Sequence, residues 1–399
     1  MKILLITPHF YPETFKCNEL AFELARRGHK VEVMTAIPDY PEGHFLKGYG
    51  IFKRRKEVIN GVTIRRSLII PRGNGSAIRL ALNYLSYTFF ASLKALWHGI
   101  SKKHDLILVH ETSPVLVGIP AVIIKKLTKT PIFFWVLDLW PESLSAAGGI
   151  HNKTILGIFD NITRFIYKNS HKILVGSKGF KKSIAEKGVD ISKIEYFPYW
   201  RDEITPSDTP LPPLPDSGFN IVFTGNMGEA QDFPHVMEAA RRLKSYRDIN
   251  FILVGDGRKR EWIEKFIAEN KLKNVFLPGR FPVEMMPAFY EKASLLFMAL
   301  KDSPIFRLTV PAKIQSYMAA GKPILAMISG EGANLINEAD CGWTVDAEDS
   351  DSLVNTIYKL YNTDSEILAK KGANGLNYSN NHFRFMDCVD LLERIISNY

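Results

Sequence analysis

Residues 309–325 read TVPAKIQSYMAAGKPIL, a run in which Thr309 can cap a helix, Pro311 is tolerated in the first turn and Gly321 ends the helix before Pro323. A helix that starts near Thr309 and Val310 points free amides and the positive end of its dipole at an anion, with Arg307 and Lys313 beside it. Phosphate fits that chemistry. Gly225 and Gly228 in VFTGNMGEAQ, and Gly255 and Gly257 in LVGDG, each follow an apolar run, where a ligand can come close to backbone. In the first half, His110 and Glu111 in LVHETSPVLVG and Asp138 and Glu142 in WVLDLWPES close apolar runs in the same way, as His9 does in TPHFYP. A carboxylate or imidazole so placed can orient or deprotonate a hydroxyl, or face positive charge developing on a reacting carbon. The plainer readings stand beside these: Asp138 as a turn cap, Glu142 as the partner of a surface base, each histidine as a core residue.

Metal chemistry has little support. DSDS at 349–352 has the spacing of a metal-binding Asp-x-Asp, yet Asp and Ser are ordinary caps where a late helix should begin. Cys17, Cys341 and Cys388 are odd in number, far apart and without Cys-x-x-Cys or a nearby histidine, which predicts buried thiols in a reducing cytoplasm.

The elements that must position these residues alternate strand and helix patterns. KILLIT, CNELAFELARRGHK and VEVMTA open the chain, and DLILVH, PVLVGIPAVIIKKLTK, PIFFWVLDLW and KILVGS follow. NIVFTG, FPHVMEAARRLK, INFILVGDG, RKREWIEKFIAENK, NVFLPG, SLLFMAL and PILAMIS repeat that grammar in the second half. Such alternation predicts parallel sheets with right-handed crossovers, and ligands at the carboxyl ends of the strands. The expected division is a first domain over 1–200, a Pro-rich linker over 201–218, a second domain over 219–380, and a tail helix over 381–399 packing back on the first domain.

Charge separates the halves. Residues 1–200 carry a net +14 and the remainder −5 within the total of +9, so the basic surface belongs to the first domain. Residues 77–97 put Arg79, Asn83, Ser86 and Lys94 on one narrow stripe of a helix that is otherwise apolar, near FKRRK at 52–56, Arg65, Arg66 and Arg72. That combination suits attachment to an anionic bilayer, while a core helix beside a solvated basic loop is the alternative. The charges inside this segment make it a poor spanning helix, and the opening apolar run is cut by Pro8 and His9 too soon for a secretion signal, so neither feature is expected. The basic residues are scattered and lack a nucleic-acid signature, which argues against that partner.

The glycines after NIVF, then VGDG, LPGR, PAKIQSYMAAGKPILA and the opening LAFELARRGHKVEVMT together resemble the group 1, family 4 glycosyltransferases. PDYPEGHF, VLDLWPES, GNMGEAQ, the 309–325 stretch and GEGA are similar to the subgroup of L-fucosamine transferases of bacterial O-antigen and capsule synthesis. The resemblance implies the α/β GT-B architecture, two doubly wound Rossmann-like domains facing a central cleft. It also implies a retaining, metal-independent transfer of an amino sugar such as N-acetyl-L-fucosamine. The donor would be a UDP-sugar and the acceptor an undecaprenyl-linked saccharide at the inner face of the cytoplasmic membrane. UDP-sugar is then substrate, and no cofactor is expected.

Departures from the family pattern decide which residues must substitute. The two family glutamates of the 309–325 helix correspond to Leu308 and Ser316, its basic pair to Asn226 and Gln231, and the histidine before Asp138 to Leu137. Ser316, Gln315 and Glu331 are candidates for the ribose contact, and the helix amides, Lys313 and either Arg280 or Arg307 for the phosphate charge. Lys16 and Asn18 can approach the diphosphate from the first domain, whose loop lacks the usual Gly-Gly. A UDP-sugar epimerase of the same architecture and a non-catalytic nucleotide-binding scaffold are the rival readings.

Overall fold

The computed structural model describes residues 1–101, 103–146, 149–215 and 217–399. The chain divides into two units, residues 1–198 with 389–399, and residues 199–388.

In the first unit the strands are β1 (Lys2–Ile6), β2 (Lys30–Ala36), β3 (Lys56–Ile59), β4 (Val62–Ser67), β5 (Leu106–His110), β6 (Ile132–Val136), β7 (Lys172–Val175) and β8 (Ile194–Tyr196). They form one sheet in the order β3-β4-β2-β1-β5-β6-β7-β8, parallel except for the β3/β4 hairpin. Strands β1, β5 and β6 are almost wholly apolar and buried, as strands covered on both faces by helices must be. The order reverses direction between β1 and β5, so His9, in the segment leaving β1, and His110, the last residue of β5, meet at the point where open α/β sheets take ligands. The final helix, Phe385–Ser397, contributes Asp390 and Glu393 to Arg27, each at 2.5 Å, and Glu393 reaches His29 at 2.9 Å.

The second unit holds β9 (Phe219–Thr224), β10 (Ile249–Val254), β11 (Val275–Gly279), β12 (Leu295–Ala299), β13 (Ile324–Met327) and β14 (Gly342–Val345). All neighbours are parallel in the order β11-β10-β9-β12-β13-β14, the dinucleotide-fold order, with its switch point between β9 and β12. Residues 199–215 and 217–218 run with this unit: Leu211 and Leu214 pack on its core and the Ser207 amide donates to the Glu284 carbonyl at 2.9 Å.

The Ala77–Ser101 helix inverts its simplest reading. Three residues of its polar stripe are engaged by the fold while Arg79 stays exposed: Asn83 is buried on Asp39, Lys94 donates to the Arg66 carbonyl at 2.6 Å, and Ser86 accepts from the Ile70 amide. Ile78, Leu82, Leu85, Phe89, Leu93, Leu96 and Ile100 are exposed, spaced three or four apart along one face, with exposed Trp97 beside Leu96. Gly99 packs against Leu127, itself exposed, so the apolar face continues onto the neighbouring Gly118–Thr128 helix. Among the described residues no helix is long and apolar enough to cross a membrane.

Candidate functional site

In the second unit, β9 ends in Thr224 and runs into Gly225 at φ 126°, a conformation open to glycine. The Thr224 amide donates to the Tyr317 hydroxyl at 3.0 Å, which fixes the strand end against the Ala312–Ala319 helix. Gly255, at φ 141°, abuts Gly225 so closely that a Cβ would lie 1.9 Å from the Gly225 carbonyl oxygen. Gly257 presses on the Met227 carbonyl in the same manner. The two glycine loops are therefore one packed unit. Beside it lies a cavity of about 690 Å³ lined by Thr224, Gly225, Arg280, Phe281, Pro282, Val283, Met286 and Lys313.

Lys313 is the charged group of this cavity. Its Nζ stands 3.8 Å over the Phe223 ring and 3.5 Å from Gln231 Oε1, and among the described residues no carboxylate pairs with it. Loss of water lowers its pKa to about 7, so the ammonium is held at a cost that an arriving anion would offset. Arg280 is exposed at the rim. Arg307 is spent elsewhere, in a two-pronged pair with Asp302 at 2.6 Å.

The helix start differs from the expected cap. Ser303 and Pro304 open a separate short helix, Pro304–Leu308, and Thr309 closes it by donating from Oγ1 to the Ile305 carbonyl at 2.8 Å. The next helix begins after Pro311 with no side-chain cap, because Thr309 is already engaged and Pro311 is extended. Val310 is half-buried between the two helices, and Ser316 Oγ donates to Asp202 at 3.3 Å. Glu331 opens its own helix, whose preceding Gly330 packs on Arg307. Asn226 is exposed beside Gly228, where a Cβ would meet its side-chain amide at 2.8 Å.

In the first unit, His9 and His110 are joined through Thr7, whose hydroxyl is 3.2 Å from the His9 carbonyl and 3.3 Å from His110 Nδ1. His110 is fully buried, edge-on to Trp135, and burial drives its pKa down to about 3, so it is neutral. Glu111 is also fully buried, and desolvation with the nearby Asp138 charge holds its carboxyl well above the usual range. The Leu137 and Asp138 amides oppose that shift, but neither carboxyl oxygen gains a well-formed hydrogen bond. Asp138 is half-buried, its pKa raised by desolvation against a hydrogen bond from Ser113. It is the carboxylate of the group with access to solvent. Glu142 is turned away into a pair with Lys187 at 2.7 Å, and that lysine also holds Asp160.

His9 is held by a residue that periodicity did not single out. Its Nδ1 lies 3.0 Å from Glu13 Oε2, its ring stacks on Phe15 at 5.0 Å, and Glu13 Oε1 accepts the Asp39 and Tyr40 amides at 2.8 Å. Asp39 in turn accepts from the Arg72 amide and from Asn83 of the Ala77–Ser101 helix. Glu13 and Asp39 carry the only hint a sequence can give, acidic residues inside PHFYPE and IPDYPE. Lys16 pairs with Glu19 at 3.7 Å, and Asn18 donates to the Glu13 carbonyl at 2.5 Å, so both support the local turn.

A family model described as glycosyl transferases group 1 matches residues 218–363, and one described as a glycosyl transferase 4-like domain matches residues 16–200. The chain is 26% identical over 245 residues to a protein named a probable glycosyltransferase, WbjE of Pseudomonas aeruginosa, a match spanning 58% of this chain and 61% of that one, less than two thirds of its length. It is 25% identical over 339 residues to the Escherichia coli K12 protein WcaI, named for glycosyl transfer in colanic acid biosynthesis, covering 80% and 82%. Among solved structures, Anabaena HepE in complex with UDP superposes with a TM-score of 0.71 at 13% identity, over the whole of both chains. WaaG, titled as a glycosyltransferase of lipopolysaccharide biosynthesis, gives 0.64 at 12% identity over 98% and 99% of the chains. Each structural likeness speaks to the fold.

Proposed function

Because this chain belongs to the group 1 glycosyltransferases of the GT-B fold, we propose that it moves a sugar from a UDP-sugar to a lipid-linked saccharide in surface polysaccharide synthesis. An amino sugar such as N-acetyl-L-fucosamine is the donor we favour. The observation that carries the donor reading is Lys313, an ammonium depressed by burial, without a carboxylate partner, in a cavity whose wall includes the Gly225 backbone. The diphosphate of a UDP-sugar would restore its charge and take the amides of the Ala312–Ala319 helix. Arg280 would meet the outer phosphate, and Asn226, Gly228, Gln231, Gly255, Val310, Ser316 and Glu331 the nucleoside and sugar.

Transfer with retention asks chiefly for a stabilised leaving diphosphate, and one aimed donor contributes about 3 kcal/mol to such a barrier. Lys313 supplies that role in this reading without a metal. Asp138 would orient the acceptor hydroxyl, with neutral His110 and the buried Glu111 behind it and His9 oriented by Glu13. The acceptor is brought by a bilayer: the exposed stripe from Ile78 to Ile100 would insert among anionic lipids, and Phe52, Lys53, Arg54 and Arg79, all exposed on the same unit, would add apolar and cationic contacts. Each cation close to such a surface contributes about 1 kcal/mol.

Calorimetric titration of UDP into the wild type and Lys313→Ala, with and without magnesium, tests the donor half. Magnesium-independent binding that weakens in the variant supports it, and no UDP binding removes it. Product formed from UDP-sugar without acceptor would favour an epimerase, and UDP binding without turnover on any lipid-linked acceptor a scaffold.

A further inference from the structure

We propose that Glu32, His98 and His104 form a binding site for a divalent transition metal, and that zinc(II) is the cation whose chemistry fits it. Glu32 lies near the start of β2, His98 in the last turn of the Ala77–Ser101 helix, and His104 in the connection to β5. The fold brings one ligand atom of each within 4.8 Å of the others. His104 Nε2 is 3.7 Å from Glu32 Oε2 and His98 Nε2 is 3.9 Å from Glu32 Oε1, with all three side chains about nine-tenths buried. The two imidazoles stack at 5.0 Å with 14° between their planes. Those nitrogen–oxygen separations are too long for hydrogen bonds. Bonds of about 2.1 Å to a tetrahedral zinc space neighbouring donors about 3.4 Å apart, so an ion on Glu32 Oε2 would need the His104 contact to tighten by a few tenths of an ångström and the His98 ring to turn from Oε1 toward the same ion.

The surroundings complete the set. Arg65 Nε pairs with Glu32 Oε1, the orienting contact that ligating carboxylates commonly have, and Oε2 lies 3.7 Å from His104 Nε2. The Thr130 hydroxyl fixes the His104 carbonyl at 3.1 Å, and His104 Nδ1 is buried without a hydrogen-bond partner. A cavity of about 530 Å³, whose walls include Glu32, His104 and Lys103, gives an ion a way in. Two imidazoles with a single carboxylate suit a borderline cation, whereas magnesium and calcium require more oxygen ligands. Glu32 is near the amino end of its strand, away from the strand ends that carry His9 and His110, so the ion would clamp the Ala77–Ser101 helix to β2 and take no part in transfer.

The test uses the full chain, stripped with chelator. Cobalt(II) titration should saturate at one ion per chain with the visible bands of a low-coordinate nitrogen and oxygen site, zinc(II) should displace it, and zinc should raise Tm. Glu32→Gln, close to isosteric, and the double variant His98→Ala/His104→Ala should each weaken binding at least tenfold. Absence of saturable binding in the wild type overturns the proposal, as does a folded variant of either kind that binds with wild-type affinity.

Discussion

If Lys313 meets the donor diphosphate, affinity must depend on pH in a window set by its environment. Free of ligand, its pKa is about 7, lowered by burial against Phe223. A bound diphosphate favours the ammonium, so binding takes up a proton wherever the free lysine is neutral. Between pH 7 and 8.5 the charged share of the free protein falls from about one half to about one thirtieth. The affinity for a UDP-sugar, whose diphosphate does not titrate in that range, should therefore fall about 15-fold, about 1.6 kcal/mol. Calorimetry in buffers of different ionisation heat reads both the affinity and the proton taken up. Lys313→Met should bind weakly at pH 7 and show no change to pH 8.5. The same shift has a second signature: the unfolded lysine keeps its proton to about pH 10.4, so stability of the unliganded wild type rises with pH from 7 upward, and the Met variant loses that slope. A wild-type affinity flat across the window, or wild-type binding by Lys313→Met, refutes the assignment.

Gly255→Ala forces a side chain into φ 141° with its Cβ 1.9 Å from the Gly225 carbonyl oxygen; it should cost at least about 2 kcal/mol in urea unfolding and abolish UDP binding. Glu111→Gln should stabilise the protein at pH 7, because burial holds the wild-type carboxyl well above the usual range and ionising it in the fold is costly. Because the folded value is raised, wild type loses stability as pH climbs above about 4.5, whereas the Gln variant should be flat there, which a pH series of urea unfolding reads. Replacing Leu85, Phe89 and Trp97 together by Ser should leave Tm within a degree or two and weaken binding to anionic vesicles about a hundredfold, at about 1 kcal/mol per side chain withdrawn from lipid; unchanged flotation with vesicles would remove the docking face.

The alternation of apolar strands and amphipathic helices was enough to read two parallel α/β sheets, because strands buried on both faces leave continuous apolar runs such as LILVH and IFFWV. The glycines after β9 and β10 were legible for a similar reason: close backbone approach excludes any side chain, so the residue type itself records the geometry. Lys313 was legible as a basic residue at a helix start, but its depressed pKa follows from Phe223 and the water excluded around it, which no local pattern encodes. Thr309 misled because a good cap serves whichever helix end it meets first, here the end of Pro304–Leu308. The same holds for Glu142, whose partner Lys187 is 45 residues away.

The Ala77–Ser101 helix marks the division most clearly. Its amino acids determined that it would be an amphipathic helix with one polar stripe. Only the tertiary structure decided that Asn83 and Lys94 of the stripe turn inward, because Asp39 and the Arg66 carbonyl wait there as hydrogen-bonding groups withdrawn from water that must be satisfied. Helical periodicity fixes which residues share a face, whereas the direction of that face depends on polar partners brought in from distant parts of the chain.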